Sequence, residues 1–336
     1  MPINHFNPYS LNQIVKAIFI GILFLNIVAC GKPNTKSKAA SEINLKSEPP
    51  SERSKVETKT TDTTNEQEET SKPNQESQLE IRSLPTYSWL KNYSIENSIL
   101  RRIPSPKGYE RKALDSDGFA YWLRLLPLKP AGTKVYLYNK SLKGNQGAHY
   151  GVVDLDVDPV DLQQCADAVM RLKAEFHYSQ KAYDKIHFNY TSGDRVGFDD
   201  WSKGKQPRVA GNKVTFINTG QKGSTYQNFK KYLTQIFNYA GTASLSREMQ
   251  QVGLKDISAG DVFIKGGHPG HAVIVLDVVE NEAGAKQFLI GQSYMPAQDF
   301  HILKNPASSS PWYSNQFDGE LVTPEWTFSA ADLKRF

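Results

Sequence analysis

The chain has 336 residues, a formal net charge of +5 and 22% charged residues. This length is enough for one large domain or two small ones. The 40 Lys and Arg residues are scattered and form no basic run interleaved with aromatic residues, which argues against nucleic-acid binding.

Residues 1–29 are predicted to be a signal peptide. An apolar run over residues 17–29 has the length of a signal-peptide core and is shorter than a typical transmembrane helix. It ends in Ile27-Val28-Ala29-Cys30, which resembles the lipobox of bacterial lipoproteins. The resemblance implies cleavage before Cys30 and a membrane anchor through lipid on its thiol. No Asp follows Cys30, so it also implies an outer-membrane lipoprotein of the cell envelope, with the leaflet open. The alternative is a secretory or anchoring segment with an accidental Cys.

Residues 30–80 are predicted to be a disordered tether that follows the lipidated Cys30. From Gly31 to Glu80 the segment is polar, with no aromatic residue and few aliphatic ones, so it cannot bury enough apolar surface to offset its ordering entropy. Residues 81–336 are then predicted to be a single globular domain.

The periodicity of this domain predicts helices first and a mostly antiparallel sheet later, which together indicate the α+β class. The expected elements before residue 257 are a helix at 119–126, strands at 135–138, 149–157 and 186–190, and helices at 159–178, 226–239 and up to 249. In the helix at 159–178, Asp158 is the expected N-cap and Pro159 the first helical residue. The polar, Gly-rich residues 191–223 are expected to form a surface insertion.

The stretch from Ile257 to Gln298 predicts a β-hairpin followed by a third strand. Strands are expected at 261–264, 272–279 and 288–290, separated by turns rich in Gly, Pro and Asn. His271 stands where the second strand begins, and Gln292 follows the third. Polar side chains at the ends of buried strands are held rigidly and remain near solvent, so both are candidates for a functional site.

Cys165 is a free thiol if Cys30 carries lipid, because the chain has no other Cys. An unpaired thiol in an oxidising compartment is either buried and inert or kept for its reactivity. The apolar stripe of the predicted helix contains Cys165, and a start at Pro159 puts it near the second turn, both of which favour an inert core residue.

Gly260-Asp261 and Gly270-His271, each followed by an apolar strand, resemble the hairpin of the CHAP and NlpC/P60 cell-wall amidases, which are papain-like. Gln164-Cys165 also resembles the Gln-Cys pair of CHAP domains. The resemblance implies a cysteine amidase or peptidase, possible substrates being cell-wall peptides or glycans. Cys165 would be the nucleophile, His271 the base, Gln292 the group that orients the imidazole, and Gln164 a contributor to the oxyanion hole.

The rival interpretation is a binding or scaffold lipoprotein without turnover. Five aromatic residues could form a platform for a sugar or peptide: Trp122, Trp201, Trp312, Tyr294 and Tyr313. No cofactor is expected. No metal site is expected either, since His268 and His271 have no further ligands nearby in sequence. The oligomeric state stays open.

Over its folded length the chain resembles an uncharacterised bacterial lipoprotein family, known as domain of unknown function 4846. The resemblance implies a family and no activity. It is carried by the stretches 119–124, 161–172, 260–264, 269–275, 292–298 and 311–313.

Overall fold

The computed structural model describes residues 84–336. The predicted signal peptide, the predicted lipid on Cys30 and the predicted tether lie outside these residues. Within the described part of the chain, no helix is both long and apolar enough to span a membrane.

An eight-stranded antiparallel sheet organises residues 84–336. The strands of the described residues are β1 His149–Val152, β2 His187–Asn189, β3 Arg195–Gly197, β4 Gln206–Ala210, β5 Lys213–Ile217, β6 Gln250–Gln251, β7 Val262–Lys265, β8 His271–Glu280, β9 Lys286–Gln292, β10 His301–Leu303, β11 Tyr313–Ser314, β12 Glu320–Val322, β13 Thr327–Ser329 and β14 Leu333–Arg335. The strand order of the large sheet is β1-β10-β9-β8-β7-β14-β6, and β11 pairs with β9 outside this path. The remaining strands form two-stranded pairs, β2 with β3, β4 with β5 and β12 with β13.

Six α-helices accompany this sheet in the described residues, and four short 3-10 segments connect elements. The helices are α1 Ile99–Arg102, α2 Phe119–Arg124, α3 Cys165–Ser179, α4 Phe198–Ser202, α5 Tyr226–Tyr239 and α6 Thr242–Glu248. The 3-10 segments are Ile95–Asn97, Tyr183–Lys185, Leu254–Asp256 and Ala330–Asp332. The predicted α+β class with a mostly antiparallel sheet is therefore confirmed, and so is the helix at 226–239.

Strand β8 is buried on both faces, which explains its unbroken apolar sequence. Ala272, Ile274 and Leu276 belong to the apolar cluster that contains the buried side of α3. Val273 and Val275 point to the other face, into a second cluster with residues of the β12–β13 pair. Because side chains alternate along a strand, a strand covered on both sides needs apolar residues at every position.

The helix predicted at 159–178 begins six residues later, at Cys165, so that prediction is wrong at its start. Residues 158–164 instead make three successive tight turns, in which the backbone N–H groups of Val160, Leu162 and Gln164 bond the carbonyl two residues earlier. The predicted N-cap, Asp158, and the predicted first helical residue, Pro159, both lie in these turns and outside the helix. The carboxylate of Asp161 accepts a hydrogen bond from the Ala297 backbone N–H at 2.7 Å. The capping acid is Asp167, whose Oδ2 accepts from the Gln164 N–H at 3.0 Å.

Two other predictions are also corrected. Residues 135–138 form isolated bridges, from Tyr136 to Leu142 and from Leu137 to Gln298, and no regular strand. The segment 191–223 is more than a surface insertion, because it contains β3, α4 and the β4–β5 hairpin. Trp201 in this segment is buried and donates to Asn228 of α5 at 3.0 Å.

Asp277 of β8 is fully buried and binds two arginines. Its carboxylate oxygens accept from Arg111 and Arg124, each at 2.7 Å. Both arginines are nearly buried and also donate to backbone carbonyls, of Ile103 and Lys112 respectively. The carboxylate of Asp277 thus links both the segment before α2 and α2 itself to β8.

We expect Asp277→Asn to lower the free energy of unfolding by about 3–5 kcal/mol, because it leaves buried guanidinium charge without its counterion. Urea unfolding followed by circular dichroism measures the change. Asp199→Asn is the matched control, since Asp199 pairs with Lys203 at 2.7 Å on the surface and its loss should be nearly neutral. Equal small effects of both variants would contradict a structural role for the buried carboxylate.

Candidate active site

Cys165 is the first residue of α3, and its thiol lies against the beginning of β8. The side chain is 8% exposed. Backbone N–H groups of Cys165, Ala166 and Ala272 lie near the sulfur and act to lower the pKa of the thiol. Ala272 directly follows His271, so the packing of α3 on β8 brings the thiol to the residue next to the candidate base.

Burial dominates the electrostatics of the thiol. It raises the pKa of Cys165 to about 11, and the nearby Asp167 carboxyl adds to the increase, while the backbone N–H groups oppose it. Asp167 is itself buried, and burial raises its pKa well above the usual range. In the closed site near neutral pH, Cys165 is therefore a thiol and not a thiolate.

His271 is almost fully buried and is held by an amide from the neighbouring strand. Its Nε2 lies 2.7 Å from Oε1 of Gln292, the last residue of β9. Burial lowers the pKa of His271 to about 4, opposed by the bond to Gln292. The imidazole is thus neutral at physiological pH, as a general base must be before it takes a proton.

Gly270 allows the turn before His271 to pack closely against α6. A Cβ atom built on Gly270 would lie 2.4 Å from the carbonyl oxygen of Gly267 and 2.5 Å from Oγ1 of Thr242 in α6. No side chain fits between the turn and α6, so the residue before His271 must be glycine.

Three aromatic rings surround the imidazole. Tyr294 has its ring centroid 4.6 Å from that of His271, Trp326 lies at 5.3 Å and Phe328 at 5.9 Å. Burial raises the pKa of Tyr294, and the nearby Glu325 and Cys165 add to the increase. Tyr294 and Trp326 are half-buried, so the site lies just beneath the surface.

Gln292 is bound on its far side by two further groups. Its Nε2 donates to Oε2 of Glu325 at 2.8 Å and lies 3.4 Å from Nε2 of His301. The other oxygen of Glu325 accepts from Lys143, a buried ammonium group. The amide that contacts His271 is therefore part of a continuous polar network.

Gln164 is the N-cap residue of α3, directly before the thiol. Its Nε2 donates to Oδ1 of Asp161 at 2.9 Å, which fixes the amide beside the helix N-terminus. An amide nitrogen carries two hydrogens, so one donor is engaged in this way and the second can serve another acceptor. The backbone N–H of Cys165 is one of the groups that a helix start leaves without an intrahelical acceptor.

The structure thus brings Cys165, the backbone beside His271, and Gln292 into one region, and it places Gln164 next to the thiol. The expectation that Cys165 lies in the second helical turn is wrong. It lies in the first, where N–H groups and the helix dipole favour a thiolate. That effect is smaller here than the cost of burial.

Of the five aromatic residues expected to form a binding platform, four belong to the interior. Trp122, Trp201, Trp312 and Tyr313 are each at most 6% exposed. Only Tyr294 lies at the site. Trp326, Glu325 and His301 are site residues that the sequence patterns did not indicate, since they lie in short irregular segments or on a three-residue strand with no motif around them.

No metal site is evident in the described part of the chain, where no three His, Cys, Asp or Glu side chains are grouped to hold an ion. His268 is exposed in the turn before β8.

We expect the rate of Cys165 alkylation by iodoacetamide to rise about tenfold per pH unit from pH 7 to 10, because only the thiolate reacts and its pKa is about 11. Mass spectrometry of the modified peptide measures the rate. Cys165→Ala retains only Cys30 and so measures the contribution of that residue, which is subtracted. In urea-unfolded protein the rate should reach a plateau near pH 9. A plateau below pH 7 in the folded protein would instead reveal a thiolate–imidazolium pair.

Comparison with known proteins gives a family and no characterised relative. No curated protein and no solved structure matches this chain. A family model described as domain of unknown function 4846 matches residues 99–335, which is well over half of the chain and includes every site residue described above. The chain belongs to the family called domain of unknown function 4846.

Proposed function

We propose that this protein is a cysteine amidase or peptidase of the papain-like type. Cys165 is the nucleophile, His271 the general base, and Gln292 the group that orients the imidazole. In this chain a Cys at a helix N-terminus is followed by a His and then by a polar residue, both on sheet strands. Papain-like amidases have the same order.

One observation carries the proposal: the thiol of Cys165 lies near the backbone N–H of Ala272, while the adjacent His271 bonds to Gln292 at 2.7 Å. More than a hundred positions separate Cys165 from His271 in the chain, so only the fold brings them into one region. A nucleophile, a neutral imidazole and an orienting amide are the parts that acyl transfer by a thiol requires.

The proposed reaction begins with attack of Sγ of Cys165 on a peptide carbonyl carbon. The thiol proton moves to Nδ1 of His271, because Nε2 is engaged with Gln292. The proton then passes to the leaving nitrogen, the C–N bond breaks, and an amine leaves a thioester on Cys165. Water, deprotonated by His271, attacks the thioester, releases the carboxylic acid and returns the proton to sulfur. The thiol and the imidazole are both neutral in the closed site, so proton transfer accompanies attack.

The oxyanion formed during attack needs donors beside the sulfur. The backbone N–H of Cys165 and the second amide N–H of Gln164 are the groups that this proposal assigns to it. Asp161 holds the Gln164 amide in place from the other side. The charge on oxygen would then develop at the N-terminus of α3, where the helix dipole also favours it.

The proposed substrate is a peptide of the cell wall, and the proposed location is the outer membrane of a bacterial envelope. A lipid on Cys30 and a flexible segment over residues 30–80 would let the domain reach wall peptides at a distance from the membrane. The lipobox resemblance of Ile27-Val28-Ala29-Cys30 and the polar composition of the segment support this part.

Hydrolysis of purified cell-wall peptides, followed by mass spectrometry, tests the proposal. We expect Cys165→Ala to abolish turnover, and His271→Asn to reduce kcat by about 10²–10⁴-fold. His268→Asn is the matched control, since this exposed His lies three residues earlier and outside the site. Product formation by Cys165→Ala equal to that of the wild type would exclude the proposal.

A second candidate function is a binding lipoprotein without turnover. The observation that favours it is the raised pKa of Cys165, to about 11, together with its burial, which describes an unreactive thiol. Retention of cell-wall fragments by the protein, equal in wild type and Cys165→Ala and without any cleavage product, would support this function instead.

A further inference from the structure

The side-chain amide of Gln292 can present either of two chemically opposite groups to His271. If its oxygen faces the ring, the contacting nitrogen of His271 must carry a hydrogen. If its NH₂ faces the ring, that nitrogen must be unprotonated. The orientation of one amide therefore decides which tautomer the imidazole adopts, and the groups behind Gln292 decide the orientation.

Two groups behind Gln292 accept hydrogen bonds. Oε2 of Glu325 lies 2.8 Å from Nε2 of Gln292, and a carboxylate can only accept. Nε2 of His301 lies 3.4 Å from the same nitrogen. Nδ1 of His301 lies 2.8 Å from the carbonyl oxygen of Asp299 and must donate to it, which leaves an acceptor lone pair on Nε2.

His301 keeps this acceptor role over the physiological pH range. Its side chain is completely buried, and burial lowers its pKa to about 3, so the ring stays neutral. Both hydrogens of the Gln292 amide thus have acceptors on the far side. The amide oxygen remains for His271, whose Nε2 lies 2.7 Å away.

Glu325 is itself fixed by a cation. Its Oε1 accepts from Nζ of Lys143, and Lys143 also donates to the carbonyl oxygen of Asn145 at 3.0 Å. The Lys143 side chain is 7% exposed and that of Glu325 is 14% exposed, so this pair is shielded from solvent. The ammonium group engages Oε1 of Glu325 and leaves Oε2 to accept from Gln292.

We propose that Glu325 is a positioning residue that, through Gln292, holds His271 in the tautomer with hydrogen on Nε2 and a free lone pair on Nδ1. Glu325 does not touch the reacting atoms. The catalytic role of Glu325 rests on the proposed amidase function, because only that tautomer offers Nδ1 as the base for the thiol of Cys165. The tautomer itself is a property of the resting protein and is measurable without turnover.

The replacement Glu325→Gln should reverse the arrangement. Lys143 attracts the oxygen of the introduced amide, so its NH₂ group faces Gln292. Gln292 then turns its own oxygen toward the introduced NH₂ and its nitrogen toward His271. The imidazole responds by moving its hydrogen from Nε2 to Nδ1.

Long-range ¹H–¹⁵N correlation spectra of the full chain with ¹⁵N-labelled histidine test this inference, with His271→Asn assigning the signal. We expect the Nε2–H pattern in the wild type and a shift of about tenfold or more toward Nδ1–H in Glu325→Gln. Glu320→Gln, an exposed residue of the same hairpin, is the matched control and should leave the pattern unchanged. The double variant Lys143→Met with Glu325→Gln lacks the ammonium group that attracts the introduced amide oxygen. That oxygen can then face Gln292, and the Nε2–H pattern should return.

An Nδ1–H pattern in the wild type, or an unchanged Nε2–H pattern in Glu325→Gln, would overturn the inference. Peptide hydrolysis measured on the same samples separates this outcome from failure of the proposed function. If the tautomer switches as expected and no variant or wild type cleaves peptide, the positioning by Glu325 stands and the amidase does not. If Glu325→Gln keeps the wild-type tautomer while the wild type cleaves peptide, the amidase function stands and the positioning role of Glu325 does not.

Discussion

The contact between the start of α3 and the start of β8 is the constraint on which the candidate site depends. It places the sulfur of Cys165 against the backbone N–H of Ala272, one residue from His271. The contact requires a helix that begins at residue 165 and a strand that is apolar on the face toward that helix. A helix that began at Pro159 would have carried Cys165 into its second turn and changed the direction of the thiol.

Burial of this contact has an electrostatic consequence. Removal from water disfavours charge on both partners, so it raises the pKa of Cys165 to about 11 and lowers that of His271 to about 4. The resting pair is neutral, unlike a preformed thiolate–imidazolium pair. In the proposed amidase, the proton of Cys165 would have to move while the substrate is bound, so the orientation of the imidazole would be more important than its basicity.

The polar network behind His271 provides that orientation. Gln292 is completely buried, and each of its amide atoms has a partner in His271, Glu325 or His301. A buried polar network of this kind is costly when one member lacks a partner and specific when all are satisfied. The Lys143–Glu325 pair extends the network to the residue directly after the isolated bridge between Tyr136 and Leu142. Segments that are distant in the chain therefore contribute to the position of one ring.

The sequence by itself determined the α+β class, the position of the hairpin around His271 and the helix at 226–239, because alternation and helical periodicity are local properties. It also indicated Cys165, His271 and Gln292 as residues of chemical interest. Only the tertiary structure decided where α3 begins, since Asp161 bonds to Ala297, far away in the chain. The roles of the groups around Gln292 likewise depend on contacts between segments that no local pattern relates, and so does the burial that keeps thiol and imidazole neutral.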